Sequence, residues 1–269
     1  SQMGVSMKRI SVGDVELATI DRGQGTPLLL VHGFPLDHSM WSGQIAGLSD
    51  VCRVVAPDLR GFGQSDVTDG TVAMAQMADD LAALLDGLDV AEPVVFCGLS
   101  MGGYVAWEFF KRHRDRLRAL VLCDTRAVCD PPEVAQTRRT TAAKVLAEGP
   151  QSLVDGMVPK LFGKATIANR PEIIDQTRQV MMATAPQGIA AAALGMAERI
   201  DAGSLLPQID CPALIVVGEE DAISTAEEMR TIAEAISHAR FVEIAGAGHM
   251  SPLEAPDAVN EAIRAFLRN

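Results

Sequence analysis

Long apolar runs, a basic and then apolar stretch among the first residues, and an excess of positive charge are all missing from the sequence. No run of about 18 apolar residues occurs, so we expect no transmembrane helix. The first residues show no basic region followed by an apolar stretch, so we expect no secretion signal. The 23 Lys and Arg residues are outnumbered by 35 Asp and Glu, which gives a net charge of −12. Because an acidic chain repels phosphate groups, we expect neither nucleic acid nor a membrane surface as a partner.

Paired cysteines and clustered metal ligands are also missing from the sequence. The five cysteines are scattered and form no Cys-x-x-Cys pair, and Cys97 and Cys123 lie in or at the end of apolar runs. This usage is typical of small buried hydrophobes in a reducing, cytoplasmic protein. His and Glu residues do not occur at metal-ligand spacing, so we expect no metal. A chain of 269 residues buries about three quarters of its unfolded surface and needs no disulfide for its core.

Short apolar runs alternate with helical patterns along most of the chain. Six runs are almost continuously apolar, which is typical of strands buried on both faces of a parallel sheet. They are residues 27–31, 53–56, 93–97, 118–123, 213–217 and 240–244. Residues 7–12 and 15–20 flank Gly13-Asp14 and indicate an antiparallel hairpin at the sheet edge. We therefore predict an α/β fold whose eight-stranded, mostly parallel sheet carries helices on both faces.

One interval interrupts this alternation. Between Asp124 and Cys211, roughly eighty residues show helical patterns broken by Pro and Gly, which is too long for a bare loop in a compact domain. We interpret the interval as a helical cap, residues 126–205, inserted after the sixth strand. The core domain would then comprise residues 1–125 and 206–269.

A candidate nucleophile lies in Gly98-Leu99-Ser100-Met101-Gly102-Gly103. The motif follows a predicted strand and precedes a helical pattern over residues 104–111, which is the context of a nucleophile elbow. Such a turn exposes the Ser100 hydroxyl, and side chains at Gly98 and Gly102 would collide with the adjoining strand and helix. The alternative is a glycine-rich turn in which Ser100 only caps the helix.

A serine hydroxyl is a weak nucleophile at neutral pH and needs a base. His249 follows the last predicted strand in a loop of small residues, at the sheet edge where α/β sites form. Asp221 follows the seventh strand, 249 − 221 = 28 residues earlier, and the order Ser, Asp, His fits an orienting acid for that base. Asp124 follows the sixth strand and is the competing acid, or else it bonds the backbone of its own turn.

An oxyanion hole requires two backbone N–H groups aimed at one point. Met101, directly after the nucleophile, and Phe34, in the loop after the third strand, are the expected donors. Methionines adapt to varied ligands and the cap holds no Trp or Tyr, so we expect a small-to-medium apolar acyl or alcohol group. The candidate substrate-binding residues are Phe34, Met101, Met157, Phe162 and Met181.

Four cap arginines leave one alternative open. They are Arg126, Arg138, Arg139 and Arg178. We interpret them as solvated surface groups, since exposure is the usual state of arginine. The alternative is that one of them pairs with a substrate carboxylate, as a lactonase for a dicarboxylic compound would need.

The sequence resembles the α/β-hydrolases over nearly its whole length, in particular the capped carboxylesterases grouped with 3-oxoadipate enol-lactonases. The segments that carry the resemblance are 32–35, 58–65, 98–103, 122–127 and 248–249. The resemblance implies a Ser100–His249–Asp221 triad, a helical cap and no cofactor. One departure is Ile223-Ser224-Thr225, where many relatives have a proline shortly after the acid.

We therefore expect a serine carboxylesterase whose partner is a small-molecule ester. An enol-lactonase is one alternative, and a ligand-sensing hydrolase-fold protein with slow turnover is another. A haloalkane dehalogenase is disfavoured because its chemistry needs a carboxylate in place of Ser100. No sequence feature predicts the oligomeric state.

Overall fold

The computed structural model describes residues 6–269, and within them eight strands form one sheet. The strands are β1 (Lys8–Ser11), β2 (Glu16–Arg22), β3 (Thr26–Val31), β4 (Cys52–Pro57), β5 (Val94–Leu99), β6 (Leu117–Cys123), β7 (Ala213–Gly218) and β8 (Arg240–Ile244). Their order across the sheet is β1-β2-β4-β3-β5-β6-β7-β8. All eight predicted strands are present, with bounds that differ from the predicted ones by at most two residues.

The antiparallel part of the sheet is confined to one edge. Strands β1 and β2 form the predicted hairpin, with Ser11 opposite Glu16 and Gly13 in the turn at φ +119°. Strand β2 also pairs antiparallel with β4, and every later pair is parallel. The carboxyl ends of β3 and β5 to β8 therefore lie along one edge of the sheet, where the loops of a parallel sheet build sites.

Helices cover both faces of the sheet, as predicted. The helices outside the long interval after β6 are α1 (Ser42–Leu48), α2 (Met74–Gly87), α3 (Met101–Arg112), α9 (Ala226–Ala235), α10 (Ser251–Glu254) and α11 (Pro256–Leu267). Helices α2, α3 and α9 bury their apolar sides on one face, and α1 and α11 on the other. The strands serve both layers, because successive side chains point to opposite faces: Leu29 joins the first cluster, and Leu28 and Leu30 the second.

Five helices follow one another between β6 and β7. They are α4 (Pro132–Glu148), α5 (Gln151–Leu161), α6 (Lys164–Asn169), α7 (Pro171–Ala183) and α8 (Pro186–Ala197). We call residues 126–205 the insertion; its division from the core as a separate cap stays a prediction. Helix α8 meets the core at Gly188, where an added Cβ would lie 1.9 Å from the Gly61 carbonyl oxygen. The two backbones touch there, and only glycine allows it.

Among the described residues, no single helix is both long and apolar enough to cross a membrane. Helices α7 and α8 reach that threshold only as a pair, which is bent by 95°.

Candidate active site

Ser100 occupies the sharp turn between β5 and α3. Its backbone has φ +53° and ψ −110°, a conformation that costs a non-glycine residue about 1–3 kcal/mol. A Cβ added to Gly98 would lie 2.5 Å from the Gly102 carbonyl carbon, and one added to Gly102 would lie 2.2 Å from the Val31 oxygen. Both glycines are thus required by close backbone approach. Hydrogen bonds to the end of β6 and to the residues after it help to stabilise this strained conformation of Ser100.

Two of those hydrogen bonds fix the backbone of Ser100 on both sides. Its N–H donates to the Cys123 oxygen at 3.0 Å, and the Thr125 hydroxyl donates to its carbonyl oxygen at 2.7 Å. The elbow is therefore tied to the end of β6 as well as to its own helix.

His249 and Asp221 form a buried hydrogen-bonded pair. His249 Nδ1 lies 2.8 Å from Asp221 Oδ2, and Asp221 Oδ1 accepts the backbone N–H groups of Ile223 and Ser224 at 2.8 and 2.9 Å. Burial raises the pKa of the Asp221 carboxyl, but the hydrogen bond and charge of His249 outweigh it and the pKa lies below its ordinary value. Because an ionised carboxylate only accepts, Nδ1 donates and Nε2 is left as the basic nitrogen.

The loops that carry Ser100, Asp221 and His249 follow β5, β7 and β8 at the same edge of the sheet. Among the described residues, no hydrogen bond joins the Ser100 hydroxyl to His249. In ligand-free sites such bonds are often long and tighten when substrate binds. The predicted acid and base are thus joined, and the turn of Ser100 lies at the same edge of the sheet without a hydrogen bond between its hydroxyl and the ring.

Asp124, the competing acid, is buried beside this pair but has other partners. The Ser251 hydroxyl donates to its Oδ1 at 2.5 Å, and the Gly218 N–H donates to its Oδ2 at 2.9 Å. Side-chain ligand atoms of Asp124, Asp221 and His249 lie within 4.8 Å of one another. Burial, and then the neighbouring Asp221 charge, raise the pKa of Asp124 well above its ordinary value. The site therefore holds two neighbouring carboxyl groups, one with a raised pKa (Asp124) and one with a lowered pKa (Asp221). Asp221 is the one bonded to the imidazole.

The two expected oxyanion donors lie on either side of Ser100. Met101 begins α3, whose N-terminal dipole favours negative charge. The loop with Phe34 passes close to the hydroxyl, since a Cβ on Gly33 would lie 3.5 Å from the Ser100 Cβ. Within residues 6–269, neither the Phe34 nor the Met101 N–H donates to another protein group. Both remain free to bind an oxygen from substrate.

His32 and Asp58 shape the loop that carries Phe34. His32 Nδ1 donates to the Gly33 oxygen at 2.8 Å, and its Nε2 accepts the Leu59 N–H at 3.0 Å. Burial lowers the pKa of His32, which keeps the ring neutral. The ring is fully used in these contacts, so His32 has a structural part and is not a rival base.

Asp58 binds the neighbouring turn. Its Oδ1 accepts both the backbone N–H and the ring Nδ1 of His38 at 2.8 Å, and its Oδ2 accepts the Gln64 N–H at 2.9 Å. Asp37, His38 and Asp58 each have a side-chain atom that could bind a metal, and these three atoms lie within 4.8 Å of one another. The hydrogen bonds already account for the grouping, so we assign it to loop structure and not to a metal.

The candidate substrate-binding side chains are placed differently from one another. Phe34 is half-buried and packs against a small cluster of alanines from α4 and α8. Met101 and Met181 are fully buried in the two main apolar clusters, and Phe162 is nearly so. Met157 is half-buried at the margin of the second cluster. Their contact with substrate stays a prediction.

The four arginines considered as possible partners of a substrate carboxylate all have protein partners. Arg126 binds Glu228 through two nitrogens, Arg138 binds Asp130, Arg178 binds Asp155 and Arg139 binds the Gln136 side-chain oxygen. A substrate carboxylate would have to displace an existing partner from each of the first three.

The family model described as alpha/beta hydrolase fold matches residues 26–256. The chain belongs to the α/β-hydrolase family. This membership confirms the predicted fold, and within the family the hydrolase resembles enzymes of two related kinds.

A thermophilic esterase from Thermogutta terrifontis, solved with malate bound, is 49% identical, with 98% of both chains covered and a TM-score of 0.95. The enol-lactonase from Burkholderia xenovorans LB400 is 32% identical over 97% of this hydrolase and 100% of that chain, with a TM-score of 0.90. A curated relative, 3-oxoadipate enol-lactonase 2 of Acinetobacter baylyi, is 28% identical over 96% of each chain. The predicted resemblance to esterases and enol-lactonases is confirmed.

Sequence reasoning missed two groups of this site. Ser251 and Glu254 follow His249 by two and five residues, and each binds an element that is remote in sequence. No spacing pattern marks them, because their partners come together only in the folded chain.

Proposed function

We propose that this hydrolase is a serine carboxylesterase that cleaves small-to-medium carboxylic esters through an acyl-enzyme on Ser100. The observation that carries the proposal is the buried 2.8 Å bond between His249 Nδ1 and Asp221, at the sheet edge that also presents Ser100. That bond leaves Nε2 as the basic nitrogen of the imidazole.

The reaction follows from these groups. His249 Nε2 takes the proton of the Ser100 hydroxyl as its oxygen attacks the ester carbonyl. The Phe34 and Met101 N–H groups stabilise the oxyanion, and Asp221 stabilises the imidazolium. The imidazolium then gives its proton to the departing alcohol, which leaves the acyl group on Ser100. A water molecule, deprotonated by the same nitrogen, attacks that acyl group. The bond to the Ser100 oxygen then breaks, the imidazolium returns the proton to that oxygen, and the acid leaves.

The engaged arginines favour a neutral ester over a dicarboxylic lactone. Arg126, Arg138 and Arg178 already pair with protein carboxylates, so a carboxylate-bearing substrate would have to compete for each of these three guanidinium groups. The greater identity to the esterase structure than to the enol-lactonase points the same way. An enol-lactonase activity is the second candidate, since an enol-lactone is a cyclic ester and the same groups would open it.

Composition supports the rest of the proposal. The five cysteines are free thiols within the described residues, and Cys52, Cys97 and Cys123 are buried. Free thiols are usual in a reducing compartment, so we propose a cytoplasmic enzyme with a small-molecule partner. That nucleic acid and membranes are not partners stays a prediction from the net charge.

The test is a panel of p-nitrophenyl esters, from acetate to laurate, assayed beside 3-oxoadipate enol-lactone. We expect turnover of the short and medium esters and a loss of about 10³-fold or more in the Ser100→Ala variant, because the nucleophile is removed. Ser204→Ala, an exposed serine of the insertion, is the matched control. Faster turnover of the enol-lactone would favour the second candidate. Tight ligand retention with very slow turnover of every compound would contradict both.

A further inference from the structure

The Glu254 side chain joins two segments that are distant in sequence. It lies at the end of α10 and is only 6% exposed. Its Oε2 accepts the backbone N–H groups of Gly248 at 2.8 Å and Met250 at 3.1 Å. Its Oε1 accepts the Gly163 N–H at 2.7 Å and the Thr166 hydroxyl at 2.8 Å. One carboxyl group thus has four hydrogen-bond donors.

The first pair of donors brackets His249. Gly248 and Met250 are its two chain neighbours, so Oε2 of Glu254 fixes the backbone on both sides of the imidazole. The Met250 N–H also reaches the Leu161 oxygen at 3.2 Å, and the Glu254 N–H donates to the Met250 oxygen at 2.9 Å. The direction in which the ring projects depends on this backbone, because a loop of small residues has few side-chain contacts of its own to hold it.

The second pair of donors lies in the insertion. Gly163 ends the α5–α6 corner and Thr166 lies in the first turn of α6. The corner rests directly on the His249 loop, since a Cβ added to Gly163 would lie 2.5 Å from the Gly246 oxygen. The Arg170 side chain donates to the Glu254 carbonyl oxygen from the far end of α6. Helix α6 is therefore fastened to Glu254 at both of its ends.

All four donors suit an ionised carboxylate, which accepts through both oxygens. Burial raises the pKa of Glu254, and its hydrogen bonds to Gly163, Thr166, Gly248 and Met250 oppose that rise. An amide in its place retains one accepting oxygen and presents an NH₂ group at the other end. Such an amide can satisfy the pair beside His249 but not the Gly163 N–H.

We propose that Glu254 is a positioning residue for His249, which it couples to the α5–α6 corner of the insertion. The inference rests on the proposed function insofar as His249 is the catalytic base. A shift of the corner would move the imidazole relative to Ser100, although no residue of the corner belongs to the triad.

Kinetics of four variants test the proposal on an ester that the wild type hydrolyses. Glu254→Ala removes both pairs of acceptors, and we expect kcat to fall by about 100-fold with little change in KM, since misplacement of a reacting group has that scale. The kcat values of Glu254→Gln and Thr166→Val should lie between those of Glu254→Ala and the wild type. Glu261→Ala, an exposed acid on α11, is the matched control. A Glu254→Ala variant with wild-type kcat, or one whose loss lies entirely in KM, overturns the proposal.

A spectroscopic measurement separates positioning from a general structural part. The His249 Nδ1 proton, bonded to Asp221, should give a low-field proton NMR signal that is assigned by its loss in His249→Gln. We expect this signal to broaden or shift in the Glu254 variants and to be unchanged in Glu261→Ala. An unchanged signal in a folded Glu254 variant overturns the proposal.

The two proposals fail in different ways. If Glu254→Ala does not fold, Glu254→Gln and Thr166→Val decide the question by the same two measurements. If the wild type hydrolyses no ester, the proposed function fails, while the NMR comparison still tests whether Glu254 positions His249.

Discussion

The sheet and the insertion use apolar residues in different ways. Strands β3 and β5 to β7 are buried at nearly every position. Of the seven large hydrophobic residues that are exposed among the described residues, five lie in the insertion: Val128, Val134, Leu146, Ile167 and Met182. The proposed catalytic groups all follow strands of the sheet. The almost fully buried sheet therefore carries the proposed catalytic groups, and more of the large apolar side chains of the insertion are exposed.

At two points the insertion and the core approach each other so closely that only glycine fits. The α8 backbone touches the core at Gly188 and Gly61, and the α5–α6 corner touches the His249 loop at Gly163. Close backbone contact leaves little room for adjustment at these points, whereas the outer faces of the insertion are open. Equivalent substitutions should thus have unequal effects in the two regions.

The largest effect should come from the acid of the core site. Asp221→Asn should lower kcat by about 10⁴-fold, because an amide at this position no longer holds the required imidazole tautomer. Asp124→Asn should cost about tenfold at most, since an amide oxygen can still accept from Ser251 or from Gly218. Steady-state rates of both variants on one ester make the comparison. Equal losses, or a greater loss in Asp124→Asn, would contradict the assignment of the acid.

Two glycine-to-alanine substitutions, one in the core and one in the insertion, compare how tightly the two regions are packed. Gly102→Ala should destabilise the fold by about 1–3 kcal/mol, because its Cβ would lie 2.2 Å from a backbone oxygen of β3. Gly156→Ala, inside α5 with no atom within 4 Å of the added Cβ, should stabilise it by about 0.5–1 kcal/mol through helix propensity. Urea unfolding of both variants gives these values. Loss of stability in Gly156→Ala would contradict the open space around this position in the insertion.

The smallest effects should come from ion pairs. Asp21 in β2 accepts from Arg53 and Lys8, and these hydrogen bonds and charges lower its pKa although burial opposes them. Because the pKa of Asp21 is lower in the folded than in the unfolded chain, its ionised carboxylate stabilises the fold above about pH 4. This stabilisation is lost as the pH falls through the folded pKa. Both cationic partners are partly exposed and therefore screened, so Asp21→Asn should cost only about 0.5–1 kcal/mol at neutral pH.

Unfolding curves at neutral pH and at about pH 3 check this pH dependence. The difference in free energy of unfolding between Asp21→Asn and the wild type should be smaller in acid. Asp155→Asn, which breaks the exposed pair with Arg178 in the insertion, is the comparison and should change stability by no more than about 0.5 kcal/mol. A greater loss in Asp155→Asn than in Asp21→Asn would reverse the ranking of the two regions.

The strands of the sheet and the turn at Ser100 could be predicted from local sequence patterns. The strands could be predicted because burial on both faces makes their apolarity continuous, and the turn at Ser100 because it requires glycine on both sides. The carboxyl ends of parallel strands share one edge, so the order Ser100, Asp221, His249 was sufficient to expect a common site.

Contacts between remote segments could not be predicted in this way. The bond from the Gly163 N–H to Glu254 spans 91 residues, and that from Ser251 to Asp124 spans 127. Both depend on how the insertion and the last loop fold against the sheet, and a local pattern carries no record of that. The pair between Arg126 and Glu228 spans 102 residues and could not be predicted for the same reason.

Covalent labelling of Ser100 tests the central claim most directly. A p-nitrophenyl alkylphosphonate should transfer its phosphonyl group to the nucleophile and release p-nitrophenol, and water frees such an adduct only slowly. Intact-mass and peptide analysis should then find one adduct per chain, on Ser100, with ester hydrolysis lost in step and labelling slowed in Asp221→Asn. An adduct on another residue, or full ester hydrolysis by a chain labelled at Ser100, would contradict the account.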